Sequence, residues 1–208
     1  MRSGGRLLDS VREALGYVRR DALLPSVVTS YGALLFFGPS AAVVLPLFAR
    51  EVAHLGSRPL GILFSAMGAG TVLGALIVAS MGDFAQKKRL AFASMLLWIL
   101  ALLVFGLSSG MSVAVPALVV LGAGQNIAGA VIITLLQLRV PPEFRGRVIS
   151  LNTLLIMCVR PLGDFPVAAL IGLLGFRPTM FLCVAIVGLV LLVCSGVNQT
   201  GVSSGIRL

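Results

Sequence analysis

The sequence predicts an all-α membrane protein, a bundle of six transmembrane helices. Three observations carry that expectation: the composition, six apolar segments of spanning length, and basic residues concentrated in alternate connections. Hydrophobic residues make up 58% of the chain and charged residues 11%, with a mean hydropathy of +1.07. Soluble domains carry about 25% charged residues, so this chain cannot cover its surface with charge and its outer solvent must be acyl chains. The lipid bilayer is therefore its first expected partner. The net charge of +9 does not point to nucleic acid, because the basic residues form no single patch.

The segments run near Leu24–Phe48, Leu60–Met81, Leu90–Leu107, Val113–Leu138, Val148–Leu173 and Thr179–Val197. At about 1.5 Å of rise per residue, each is about long enough to cross ~30 Å of hydrocarbon. Residues 1–22 differ. Leu7, Leu8, Val11, Leu15 and Val18 recur at helical spacing, with Arg6, Arg12, Arg19 and Arg20 between them. That pattern is either an amphipathic basic helix lying on the membrane surface or the solvated lead-in to the first span. The expected organisation is a cytoplasmic basic segment over 1–22, a six-helix transmembrane bundle over 23–197 and a cytoplasmic tail over 198–208. Asp9, Glu13 and Asp21 precede the first apolar run, so no cleavable leader is expected.

Orientation follows from lysine and arginine alone. The N-terminal segment, the loop after the second span (Lys87, Lys88, Arg89), the loop after the fourth (Arg139, Arg145, Arg147) and Arg207 place twelve basic residues on one side. Arg50, Arg58 and Arg177 place three on the other. The first side is expected to be cytoplasmic, with both termini there and the protein in the cell membrane.

Within the spans, polar residues are the candidates for function. Gln125 and Asn126 sit in the middle of the fourth. Amides in hydrocarbon need partners, so they either bridge helices or line a substrate cavity. Arg160 and Asp164 in the fifth span are one helical turn apart and share a face. An unpaired charge at that depth costs at least ~2.5–3.5 kcal/mol on insertion scales. The two are expected to pair with each other, either as a self-neutralised element or as charges in a transport cavity. Pro161 and Gly163 between them predict a kink that frees nearby carbonyls. Ala66, Gly70 and Gly74 in the second span, with Gly122, Gly124 and Gly129 in the fourth, predict close helix packing.

Other chemistry is not supported. Cys158, Cys183 and Cys194 are odd in number and lie in apolar segments, which gives neither a disulfide framework nor a metal site. Gly106-Leu-Ser-Ser-Gly110 fits a nucleophile-elbow pattern but ends a membrane helix, and the chain's one histidine is His54. Asn198-Gln-Thr200 matches a glycosylation sequon in the expected cytoplasmic tail. No enzyme activity, cofactor or metal is expected.

The loop Ala79–Arg89 carries a small residue, three positions, Asp83, then the basic run Lys87, Lys88 and Arg89. It resembles the signature loop of the major facilitator superfamily, with Phe84 and Gln86 departing from the usual Arg and Gly. The stretches Leu45–Glu51, Pro141–Val148 and Arg12–Arg20 resemble the branch containing siderophore (enterobactin) and multidrug exporters. The resemblance covers essentially the whole chain and implies the C-terminal six-helix half of a twelve-helix fold, with no counterpart here of the first six helices. It implies ion-gradient-driven efflux of drugs or siderophore-like small molecules, with a second six-helix half, self or separate, as partner. A truncated or accessory protein without transport activity is the alternative. Gln125, Asn126, Arg160 and Asp164 would line the cavity, although in that branch the positions of Arg160 and Asp164 are usually neutral or small. Asp83 would meet a neighbouring helix N-terminus while the basic cluster meets lipid phosphates.

The charge asymmetry sets a topology that single cysteines in a cysteine-free background would read. Lys87→Cys should react only with membrane-permeant thiol reagents, and Gly56→Cys with impermeant reagents from outside. The reverse pattern would invert the orientation.

Overall fold

The computed structural model describes residues 24–38, 40–51, 57–81, 87–139 and 142–203. These form seven helices: α1 Leu24–Phe37, α2 Ala41–Glu51, α3 Ser57–Ser80, α4 Lys87–Leu107, α5 Met111–Arg139, α6 Pro142–Leu174 and α7 Phe176–Ser203. Their apolar stretches make six candidate spans: Val28–Arg50, Pro59–Ser80, Arg89–Leu107, Met111–Leu138, Ile156–Leu174 and Phe176–Cys194. The chain is thus an all-α, six-span membrane bundle. The basic segment expected over 1–22, Asp83, and residues 204–208 of the expected tail lie outside the described residues. Lys87, Lys88 and Arg89 open α4, and Arg89 is exposed.

The first span departs from expectation. It is not one continuous helix but two, α1 and α2, divided near its middle. Gly38 N–H donates to the Leu34 carbonyl at 2.8 Å, closing α1. The Ser40 carbonyl then accepts from Val43 N–H at 3.1 Å and Val44 N–H at 3.0 Å, which makes Ser40 the N-cap of α2. The local sequence Gly38-Pro39-Ser40 explains the division. Proline supplies no N–H for the ladder, and serine favours the N-cap over the helix interior. Pro161 and Pro166, by contrast, are carried inside the unbroken α6.

α5 is the central strut. It packs against α3 on one side and α4 on the other, while α7 packs against α1 and α4, and α6 against α1 and α7. Trp98, Phe48, Phe105, Leu34, Leu118 and Met180 are fully buried between them. Phe48 of α2 meets Phe105 of α4 with ring centroids 4.7 Å apart and Phe176 of α7 at 5.6 Å. Large apolar side chains such as Phe165, Leu173 and Leu192 point outward, as a lipid-facing surface requires. α3 and α6 are the outer flanks: 22% and 17% of their most apolar stretches is buried, against 50% in α4.

The α3–α5 crossing depends on missing side chains. A Cβ on Gly70 would run into the backbone of Val119, and one on Gly122 into the backbone of Met67. Buried Ala66 continues this face of α3. Lipid tails are as apolar as the helices, so no hydrophobic drive holds these two together; dispersion at close approach does. Gly68, on the open side of α3, would meet nothing. Gly70→Ala and Gly122→Ala should therefore each cost about 1–3 kcal/mol by overpacking. Gly68→Ala should cost nothing, or gain up to about 1 kcal/mol of helix propensity. Unfolding of the purified chain in mild detergent would measure the three, and equal effects at 68 and 70 would refute the crossing.

Candidate functional site

Three spans bring polar groups to one depth. Ser40 lies at the divided middle of the first, Gln125 near the middle of α5, and Arg160 and Asp164 on α6. Gly163 allows α6 to reach the break: a Cβ there would collide with the backbone of Phe36, near the end of α1. That close approach sets Asp164 beside the start of α2. Ser40 N–H donates to Asp164 Oδ1 at 3.0 Å, and Ser40 Oγ donates to Oδ2 at 2.7 Å. Both carboxylate oxygens are thus used by one N-cap residue. The carboxylate also faces the positive end of the α2 dipole, so it takes the acceptor role that continuous helix would otherwise fill.

Arg160 turns elsewhere. With the Gln125 amide oriented by its donors, the side-chain carbonyl accepts from Arg160 Nη1 at 2.7 Å and Nη2 at 3.0 Å. Arg160 Nε is buried without a hydrogen-bond partner among the described residues. Asp164 and Tyr31 are close enough to Arg160 to interact with it electrostatically. Buried Tyr31 also stands against α5, where a Cβ on Gly129 would lie 3.1 Å from its hydroxyl.

This geometry corrects the expected pairing. Arg160 and Asp164 share a face of α6 but form no direct hydrogen bond or ion pair: the carboxylate is held by Ser40 and the guanidinium by Gln125. Each finds its hydrogen-bond partner across a helix interface, Asp164 at the head of α2 and Arg160 on α5. Both are partly buried within this one bundle. Asn126, about 100° further round α5, takes no part in the hydrogen bonds. Ser40 and Tyr31 belong to this group although neither is an intramembrane charge or amide of the kind that the sequence marks. The signal for Ser40 was a helix break followed by a capping residue; Tyr31 had none.

The partnerships make separable predictions. Double-mutant cycles for Ser40→Ala with Asp164→Asn, and for Gln125→Ala with Arg160→Ala, should each show about 1 kcal/mol or more of coupling in unfolding. The cross pair Ser40→Ala with Gln125→Ala should be close to additive. Strong coupling in the cross pair alone would mean that the node is wired differently.

Residues 3–197 match the family model described as transmembrane secretion effector. Over 131 residues the chain is 30% identical to a D-xylose transporter of Levilactobacillus brevis, a match covering 61% of this chain and 29% of that protein. The chain therefore spans under a third of that relative's length. No solved structure matches the chain. Six apolar spans and a family match along nearly the full length lead to one assignment: the chain belongs to the transmembrane secretion effector family of major facilitator transporters.

Proposed function

We propose that this chain supplies one six-helix half of an export protein that works by alternating access, moving drugs or siderophore-like small molecules outward across the cell membrane. The observation that carries the reading is the polar node of Ser40, Gln125, Arg160 and Asp164, built at a break in a membrane helix in a chain of a transporter family. Polar groups within a span are expensive, and they mark solute or ion pathways more often than lipid-facing scaffold. Broken helices beside such groups are a recurring element of transporter sites. Gln125 and Asn126 offer neutral donors and acceptors to a solute, and Arg160 a cation. The signature-loop residues Asp83, Lys87, Lys88 and Arg89 would act at the cytoplasmic face, with both termini on that side. The family's description favours secretion. The relative named for D-xylose brings a sugar as the competing substrate class, since hydroxyls suit the same amides.

A second reading has an observation of its own. The Asp164 carboxylate and the Arg160 Nη groups are bonded within the bundle, which is compatible with an accessory or truncated six-helix protein without transport. Co-expression with the N-terminal six helices of a family member separates the two. Efflux of ethidium from loaded cells should appear only when both halves are present, and should fall at least about tenfold with Arg160→Ala, as expected for loss of a charged hydrogen-bonding group. D-Xylose uptake in place of ethidium efflux would move the substrate class to sugars, and neither activity would favour the accessory reading.

A further inference from the structure

A guanidinium carries five N–H donors and a full charge, and its complementary partner is a carboxylate that accepts at both oxygens. No carboxylate is bonded to Arg160 among the described residues. Its hydrogen-bond partner is a single neutral oxygen, the side-chain carbonyl of Gln125, which accepts from Nη1 at 2.7 Å and Nη2 at 3.0 Å. Nε–H, on the edge that Nε shares with Nη2, has no partner among the described residues. The nearby acid, Asp164, uses both oxygens on Ser40, at 3.0 and 2.7 Å. We propose that Arg160 is the recognition point for an anionic group of the transported solute, a carboxylate above all, and that the Gln125 carbonyl is an internal stand-in which this group displaces.

Three features support this. First, the contact is suited to exchange. The amide offers one neutral oxygen. A carboxylate in its place forms two parallel bonds along the Nε and Nη2 edge and brings the opposite charge. The incoming anion therefore outcompetes the amide for the guanidinium. Nε is buried, so the solute reaches that edge as the guanidinium turns away from Gln125. A purely structural pair would leave this buried donor unanswered at a standing cost.

Second, there is room and a further donor beside the amide. Gly129 lies one helical turn from Gln125 on α5, and a Cβ there would meet one atom, the Tyr31 hydroxyl oxygen, at 3.1 Å. The missing side chain leaves space, and the hydroxyl can donate to a second solute oxygen. Third, the local field admits an anion. Asp164 interacts with Arg160 electrostatically, yet its two oxygens are bonded at the head of α2, where the helix dipole is positive. A solute without an anionic oxygen, D-xylose included, meets the node with Gln125 still in place.

The proposal rests on the transport reading, but its test is a binding measurement and requires no transport. The full chain in mild detergent is titrated with benzoate and with its neutral isostere benzamide, at fixed ionic strength with chloride as the balancing anion. Apparent Kd values come from the dependence of the unfolding temperature on ligand concentration. Benzoate should bind at least about tenfold more tightly than benzamide, the range of a hydrogen bond to a charged group. Arg160→Gln should remove that preference. Gln125→Leu, with nothing to displace, should bind benzoate about threefold to tenfold more tightly than the parent. Gln125→Glu places a fixed carboxylate on the guanidinium and should weaken benzoate binding at least about tenfold. That variant keeps Arg160 bonded, so it decides the matter should Arg160→Gln fail to fold. Equal binding of the two probes by the parent, or no binding of benzoate, overturns the proposal. So does a benzoate preference that survives in Arg160→Gln, which would place the anion at another cation such as Arg50 or Arg177. Weaker benzoate binding in Gln125→Leu would make Gln125 a direct solute contact and overturn its role as stand-in. The full binding pattern in a chain that exports nothing with its second half would count against the transport reading alone.

Discussion

In hydrocarbon a polar group has no solvent to fall back on, so each donor and acceptor must be answered by the protein or left at a cost of several kcal/mol. The interior of this bundle is organised around that constraint. Dividing the first span at residues 38–40 frees the donors of Ser40, and Asp164 answers them at 3.0 and 2.7 Å. Using the carboxylate in this way leaves Arg160 to Gln125, on α5. The break, the acid, the cation and the amide are thus one system, in which the placement of each limits the choices of the others.

Packing supplies the distances that this system needs. Side chains one helical turn apart can meet without tertiary help, but a serine on the first span and an acid on the fifth meet only if their backbones approach closely. Gly163 makes that possible by lying against the backbone at Phe36. The same device operates at the crossing of α3 and α5 through Gly70 and Gly122. In both places small residues replace the hydrophobic drive that lipid removes. The aromatic contacts of Phe48, Phe105 and Phe176 hold the other end of α2. The short half-helix is therefore fixed by apolar contacts at one end and by charge at the other.

This division of labour suits a membrane transporter family better than an inert scaffold. Apolar contacts do not discriminate between polar solutes, whereas charged and hydrogen-bonding groups do. A bundle built only to be stable would gain by replacing a buried charged node with hydrophobic residues, since buried ionic groups are weak evidence for stability.

The sequence alone determined the fold class, the number of spans and most of their limits, because lipid imposes one rule on every spanning segment: about twenty apolar residues, with little charge inside. It also marked Gln125, Arg160 and Asp164 as residues that need partners, for the same reason. It did not determine who those partners are. Spacing on one helix favoured an Arg160–Asp164 pair, because local pairs are the ones that a linear pattern can reveal. Tertiary structure decided otherwise: Ser40, 124 residues from Asp164 in the chain, offers two donors at the start of a helix. The division of the first span was written in Gly38-Pro39-Ser40, but a run of apolar residues on both sides concealed it. Hydropathy averages over such a break, whereas backbone hydrogen bonding does not.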